Sequence, residues 1–169
     1  MSESEALAST GLDFNPADFP KSLVDFVAVL TEPGASGIPK GIQSLGIRPD
    51  LWLKKLEPGR VTYVWPNSGE RDISPGRAFG GWVAGFSDHI VSICMFSALK
   101  DGEAFTTQDL QVKLFRPVGH GDVTITAEVK NRSRTTGYVE AEWRNTDGKL
   151  AAKVLSWKAI RTEAELNRS

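Results

Sequence analysis

The chain has 169 residues, 20 of them basic and 21 acidic, for a formal charge of -1. That length fits one hydrophobic core, and the near balance of charge excludes a global field that would draw the chain to nucleic acid or to an anionic membrane surface. A single cysteine, Cys94, excludes an intrachain disulfide framework, and with only His89 and His120 beside it no zinc spacing can be assembled, so no structural metal is expected.

The N-terminal MSESEALAST is acidic and polar, the opposite of a cationic signal peptide, and no run reaches the ~20 apolar residues of a membrane span. A cytoplasmic protein is the expectation. Residues 1–15 lack apolar periodicity and read as a loose arm. From Pro16 to Leu30, Phe19, Leu23, Phe26, Val27 and Leu30 recur at helical spacing, which predicts a short amphipathic helix with Pro16 in its first turn. Thr31 to Gly41, with Pro33, Gly34, Gly37 and Pro39, reads as a loop. Leu51–Leu56 and Val61–Trp65 read as strands joined by the turn Glu57-Pro58-Gly59. The stretch GRAFGGWVAGFSDHI, Gly76 to Ile90, predicts an apolar helix starting near Gly80. Phe105–Arg116 is a long strand ended by Pro117. Val123, Ile125, Ala127 and Val129 alternate with polar residues, as do Val139, Ala141 and Trp143, so two strands with one wet face follow. The turn Asn145 to Gly148 leads into Leu150–Ile160, apolar on both faces. About six strands that are apolar on one side need a cover, and the helix near Gly80 is the element apolar enough to supply it. The order of elements therefore predicts an α+β fold, an antiparallel sheet curled around one central helix.

Asp88 is the charge on that helix. At 100° per residue, Trp82, Phe86, Ile90 and Ile93 share the face that presses into the sheet, while Asp88 shares the other with Gly81, Ala84, Gly85, Val91, Ser92 and Met95. Small side chains leave a slot there. A structural carboxylate, satisfied by a hydroxyl or a basic partner, would fit the same position. Against that stands the Gly80-Gly81 pair at the helix start, where free N–H groups and the positive end of the helix dipole can receive a developing oxyanion. Sealed burial on a cation would mark Asp88 as structural; a carboxylate open to a cleft would mark it as a base or nucleophile.

Other constellations fail on geometry. Ser87, Asp88 and His89 are consecutive on a helix and point about 100° apart, so they cannot form a relay. Gly85-Phe86-Ser87 lacks the strand-to-helix turn of a nucleophile elbow. Gly34 to Gly41 with Lys40 lacks phosphate-loop order. His89 reads as a packed or surface histidine.

The Gly80-Gly81 start with Asp88 downstream, the strand TTQDLQVKLFRPV followed by GDVTITAEV, Leu45-Gly46-Ile47 and Glu57-Pro58-Gly59-Arg60 together resemble the PaaI-type branch of hotdog-fold acyl-CoA thioesterases, over about Ile42 to Ile160. The resemblance implies a hotdog domain over residues 42–162, after an arm of residues 1–41 with its short helix and Gly/Pro loop, and before a polar tail, 163–169. It implies hydrolysis of an acyl-CoA, with CoA present only as part of the substrate, by a homodimer or homotetramer whose sites lie between protomers. The implied catalytic residues are Gly80, polarising the carbonyl, Asp88, activating water or attacking, and Thr107, holding the water; the last is expected on one face with Asp109 and Gln111. Many members place histidine before the glycine pair and asparagine six residues earlier; Phe79 and Ile73 stand there in this chain. Arg77 is a candidate for the role of that histidine, and Phe79 and Gly81 for lining the substrate site. Arg132 and Arg134, on a basic hairpin connection with Lys113 and Arg116 on the strand before it, are candidates for the CoA phosphates. Trp52, Trp65, Trp82, Phe86 and Phe115 are either acyl-pocket lining or ordinary core. The competing expectations are a non-catalytic acyl or acyl-CoA binding module and, more remotely, a hydratase.

Overall fold

Val123, Ile125 and Ala127 are fully buried, and so are Val139 and Trp143 on the next strand, with Ala141 1 % exposed. Ile125 lies opposite Trp143 and Ala127 opposite Ala141, so the alternation of the two strands is in register and one sheet face is dry. The computed structural model describes residues 11–166. In chain order its strands are β1 (Asp13–Phe14), β2 (Leu53–Glu57), β3 (Arg60–Asn67), β4 (Asp72–Ser74), β5 (Arg77–Ala78), β6 (Glu103–Leu114), β7 (Gly121–Arg132), β8 (Thr136–Arg144) and β9 (Leu150–Thr162). The helices are α1 (Lys21–Leu30), α2 (Lys40–Ser44), α3 (Pro49–Trp52), α4 (Gly80–Phe96) and α5 (Glu163–Leu166). Seven strands form one sheet in the order β1-β2-β3-β7-β8-β9-β6, and β4 with β5 forms a separate pair in front of α4. The sheet is antiparallel except for β1, which runs parallel to β2.

The six expected strands are present; the seventh, β1, comes from the segment read as a loose arm, whose residues 1–10 lie outside the described ones. Two boundaries differ for reasons of proline. The helix expected over Pro16–Leu30 is split: Pro20 forces Phe19 into extended backbone, leaving a 3₁₀ turn, Pro16–Asp18, ahead of α1. The strand expected from Leu51 starts at Leu53, because Pro49 opens a helical turn that holds Leu51 and Trp52. The loop over 31–41 also contains a 3₁₀ turn and the start of α2.

The helix α4 sits in the curve of the sheet. Phe86 and Ile90 are fully buried, and the Phe86 ring meets that of Trp143 edge-on with centroids 5.5 Å apart. Segments between β1 and β2 cover the flank that the sheet leaves open. Leu23, Val27 and Leu30 of α1 enter the same core, Phe26 packs on Phe96, and the Trp82 indole N–H donates to the Leu45 carbonyl at 2.7 Å. At roughly 1.5–3 kcal/mol for each large apolar side chain buried, α1 is an integral part of the fold. The expected boundary between an arm of 1–41 and a domain of 42–162 is therefore no boundary in packing: Leu12, Phe14 and Phe19 already touch the core.

Candidate active site

On α4 the residues Gly81, Ala84, Gly85, Asp88 and Ser92 keep access to solvent, in a stripe running along one side. Val91 and Met95, expected in the same slot, are fully buried. The slot ends after Ser92 because the sheet curls over the last turns of the helix, where Met95 Sδ fills the space left by the missing side chain of Gly137. The slot is floored near its middle by Leu45, whose Cδ1 would lie 3.1 Å from a Cβ on Gly85.

Asp88 has both of the partners considered for a structural carboxylate. Its Oδ1 accepts from Thr107 Oγ1 at 3.3 Å and from Lys158 Nζ at 3.5 Å. It is not sealed: 47 % of its side chain is exposed, whereas that of Lys158 is 0 % exposed. Lys158 Nζ also donates to Thr107 Oγ1 at 2.7 Å and to Ser92 Oγ at 3.2 Å, and lies 5.5 Å from the centre of the Phe105 ring. Burial lowers the pKa of the Lys158 amine, and the Asp88 charge opposes that shift.

A bulge aims Thr107 inward. Thr107 lies opposite Lys158, but Asp109 lies opposite Trp157, so one extra residue of β6 is taken up between them. The expectation that Thr107 shares a face with Asp109 and Gln111 is thus corrected: past the bulge the alternation flips, and Leu110 and Val112 face inward instead. Ser156 Oγ donates to the Asp109 carbonyl at 2.9 Å and secures the bulge.

At the front of α4, the Phe79 carbonyl accepts from the N–H groups of Trp82 and Val83, while those of Gly80 and Gly81 have no partner among the described residues. The Phe79 ring lies over Gly81, where a Cβ would come within 2.7 Å of it. Phe79 and Ile73 are 52 % and 69 % exposed, so the positions at which the resembling family carries polar groups form an apolar rim. Arg77 and Ile73, with Leu114, Phe115 and Arg116, line a cavity of about 360 Å³ beside this rim. A second cavity, of about 430 Å³, lies between Arg71, Ile73, Phe79 and Trp82.

The remaining candidates are distributed as follows. Arg132 is paired with Glu103 at the start of β6, and Arg134 is exposed on the β7–β8 connection; Gly80 lies against Leu114 at the other end of β6, about 36 Å away along the strand. Within one protomer these arginines and Gly80 do not meet. Lys113 is exposed, and Arg116 donates to the Leu150 carbonyl at 2.8 Å. Trp52, Trp65, Trp82 and Phe86 pack ring on ring as core, whereas Phe115 is exposed. His89 is buried, 3.0 Å from the Tyr63 hydroxyl, with its pKa pushed down to about 4 by burial, and Ser87 is buried without a partner among the described residues. Ser87, Asp88 and His89 therefore form no relay.

Residues 75–152 match the thioesterase superfamily. A Saccharolobus solfataricus protein, provisionally named an esterase, is 29 % identical over 117 residues, covering 69 % of this chain and 83 % of its own. Among solved structures, a phenylacetic acid degradation-related thioesterase candidate of Ralstonia eutropha superposes with a TM-score of 0.61 at 21 % identity, over 75 % of this chain and 93 % of that one. A Streptococcus pneumoniae thioesterase candidate, solved with coenzyme A, superposes with a TM-score of 0.58 at 19 % identity, over 65 % and 84 %. The fold is the hotdog fold of the thioesterases.

Within this hotdog fold, the residues that sequence reasoning missed are Lys158 and Ser92. A signal for Lys158 was present: Ala152, Val154, Ser156, Lys158 and Ile160 alternate along β9, which puts a cation in a row that is otherwise apolar or small. Reading the strand as apolar on both faces hid it. Ser92 stood in the predicted slot without a partner to give it meaning.

Proposed function

We propose that this protein hydrolyses an acyl-CoA thioester to the free acid and CoA. The observation that carries the reading is the Asp88 carboxylate, held through one oxygen, half exposed, in a slot of small residues along the same helix whose first two N–H groups are unspent. The superfamily match supports thioester hydrolysis, and coenzyme A in the Streptococcus pneumoniae structure supports the thiol part of the substrate. In this reading the Gly80 amide receives the carbonyl oxygen as negative charge develops on it. Asp88 takes a proton from the attacking water, or attacks the carbonyl carbon itself, and the C–S bond breaks as CoA leaves.

Spacing supports a site shared by two copies. Eight helical residues put Gly80 and Asp88 about 12 Å apart. One carbonyl, with an oxyanion donor at ~3 Å and a nucleophile at ~3–3.5 Å, spans only about 6–8 Å. Gly80 of one protomer would therefore work with Asp88 of a second copy. A cytoplasmic setting is part of this proposal.

Replacement of a general base costs about 10²–10⁴-fold, so Asp88→Asn should lower thiol release from acyl-CoA at least ~100-fold with the fold intact. Undiminished release in that variant refutes the role. The apolar rim of Phe79 and Ile73 favours a second reading, a binding module for acyl groups or acyl-CoA that has lost turnover. Saturable binding across an acyl-CoA panel with no thiol release would establish that reading instead.

A further inference from the structure

A fully buried lysine is rare, and its charge is costly to desolvate. A methionine of similar length would fill the place of Lys158 without that cost. The hydrogen bonds around Lys158 point to what the cation does. A protonated amine donates three hydrogens and accepts none, and the three contacts of Lys158 Nζ are to Thr107 Oγ1, Ser92 Oγ and Asp88 Oδ1. In the 2.7 Å bond Thr107 Oγ1 must then be the acceptor, which frees its single O–H to donate to Asp88 Oδ1. Both contacts fall on Oδ1; Oδ2 has no partner among the described residues.

We infer that Lys158 is a positioning residue: it fixes the direction of the Thr107 hydroxyl, anchors Asp88 through Oδ1, and leaves Oδ2 turned to the slot as the reacting oxygen. The inference rests on the hydrolytic reading above and deepens it. Lys158 touches no substrate and acts through Asp88, so its effect belongs in turnover rather than in binding.

The test uses the full chain with an acyl-CoA panel and thiol detection. For Lys158→Met, kcat should fall about 10- to 100-fold, as expected when a reacting group is misplaced by an ångström or so, while KM stays within about twofold. The melting temperature should hold or rise, because a desolvated charge is removed and Asp88 can still be solvated. Lys158→Arg should recover part of the lost kcat. A Lys158→Met protein with wild-type kcat, alongside an inactive Asp88→Asn, overturns this inference alone. A wild-type protein inert on the whole panel overturns the hydrolytic reading and this inference with it. If Lys158→Met does not fold, Thr107→Val and Thr107→Ser decide: loss of kcat in the first and retention in the second supports the inference, and wild-type kcat in Thr107→Val overturns it.

Discussion

Asp88 and His89 are adjacent in the chain, yet burial assigns them opposite chemistry. Asp88 keeps nearly half its side chain in solvent and has a cation and a hydroxyl on one oxygen, so it is available to react. In Asp88→Asn the amide oxygen can still accept from Thr107 and Lys158, so the protein should fold, at a cost in stability because the buried amine loses its counter-charge. His89 is enclosed by Tyr63 and Phe86 and stays neutral, with a pKa of about 4 against an ordinary value of 6.5. The unfolded chain therefore binds a proton more readily than the folded one, and stability falls as pH drops from about 6.5 towards 4. Between pH 7 and pH 5 this group alone should remove about 2 kcal/mol. Urea-unfolding free energies at the two pH values measure it, and the wild-type pH difference should exceed that of His89→Gln by that amount.

Among the elements, the site depends on one local departure from regular structure and on one missing side chain. The bulge between Thr107 and Asp109 turns Thr107 towards the helix; without it, Asp109 and Gln111 would share its face. Gly137, paired with Lys158 across β8 and β9, leaves room for Met95 on the inward side. A Cβ there would overlap Met95 Sδ and lie 3.6 Å from Ile160 Cδ1, and Met95 is fully buried. Gly137→Ala should cost about 1–3 kcal/mol by overpacking, read as a lower denaturant midpoint with an unchanged slope.

For the whole molecule, β6 is the last strand of the sheet, twelve residues long, and its outer edge has no neighbour among the described residues. Leu114 and Phe115 at its end are 52 % and 54 % exposed. A long edge with exposed apolar side chains invites another strand, which agrees with the proposed sharing of the site between two copies. The protein should sediment as a dimer or tetramer at micromolar concentration, and the double change Leu114→Glu, Phe115→Glu should yield monomers that have lost thiol release. A chain already monomeric and fully active contradicts the shared site.

Much of the architecture was legible in the chain because it follows from period and punctuation: the rows Val123 to Val129 and Val139 to Trp143, the turns at Pro58-Gly59 and Asp147-Gly148, and a helix at Gly80 too apolar to lie outside. Asp88 was legible for the same reason, a charge on a helix that the pattern buries. What the sequence could not determine depends on register between distant strands. Whether Lys158 points into the core or out of it turns on its pairing with Thr107, fifty-one residues earlier, and on one inserted residue that flips the face of β6. The alternation along a strand says which residues share a side, and only the packed sheet says which side meets the helix, and hence that a hydroxyl and a buried amine converge on the same carboxylate oxygen.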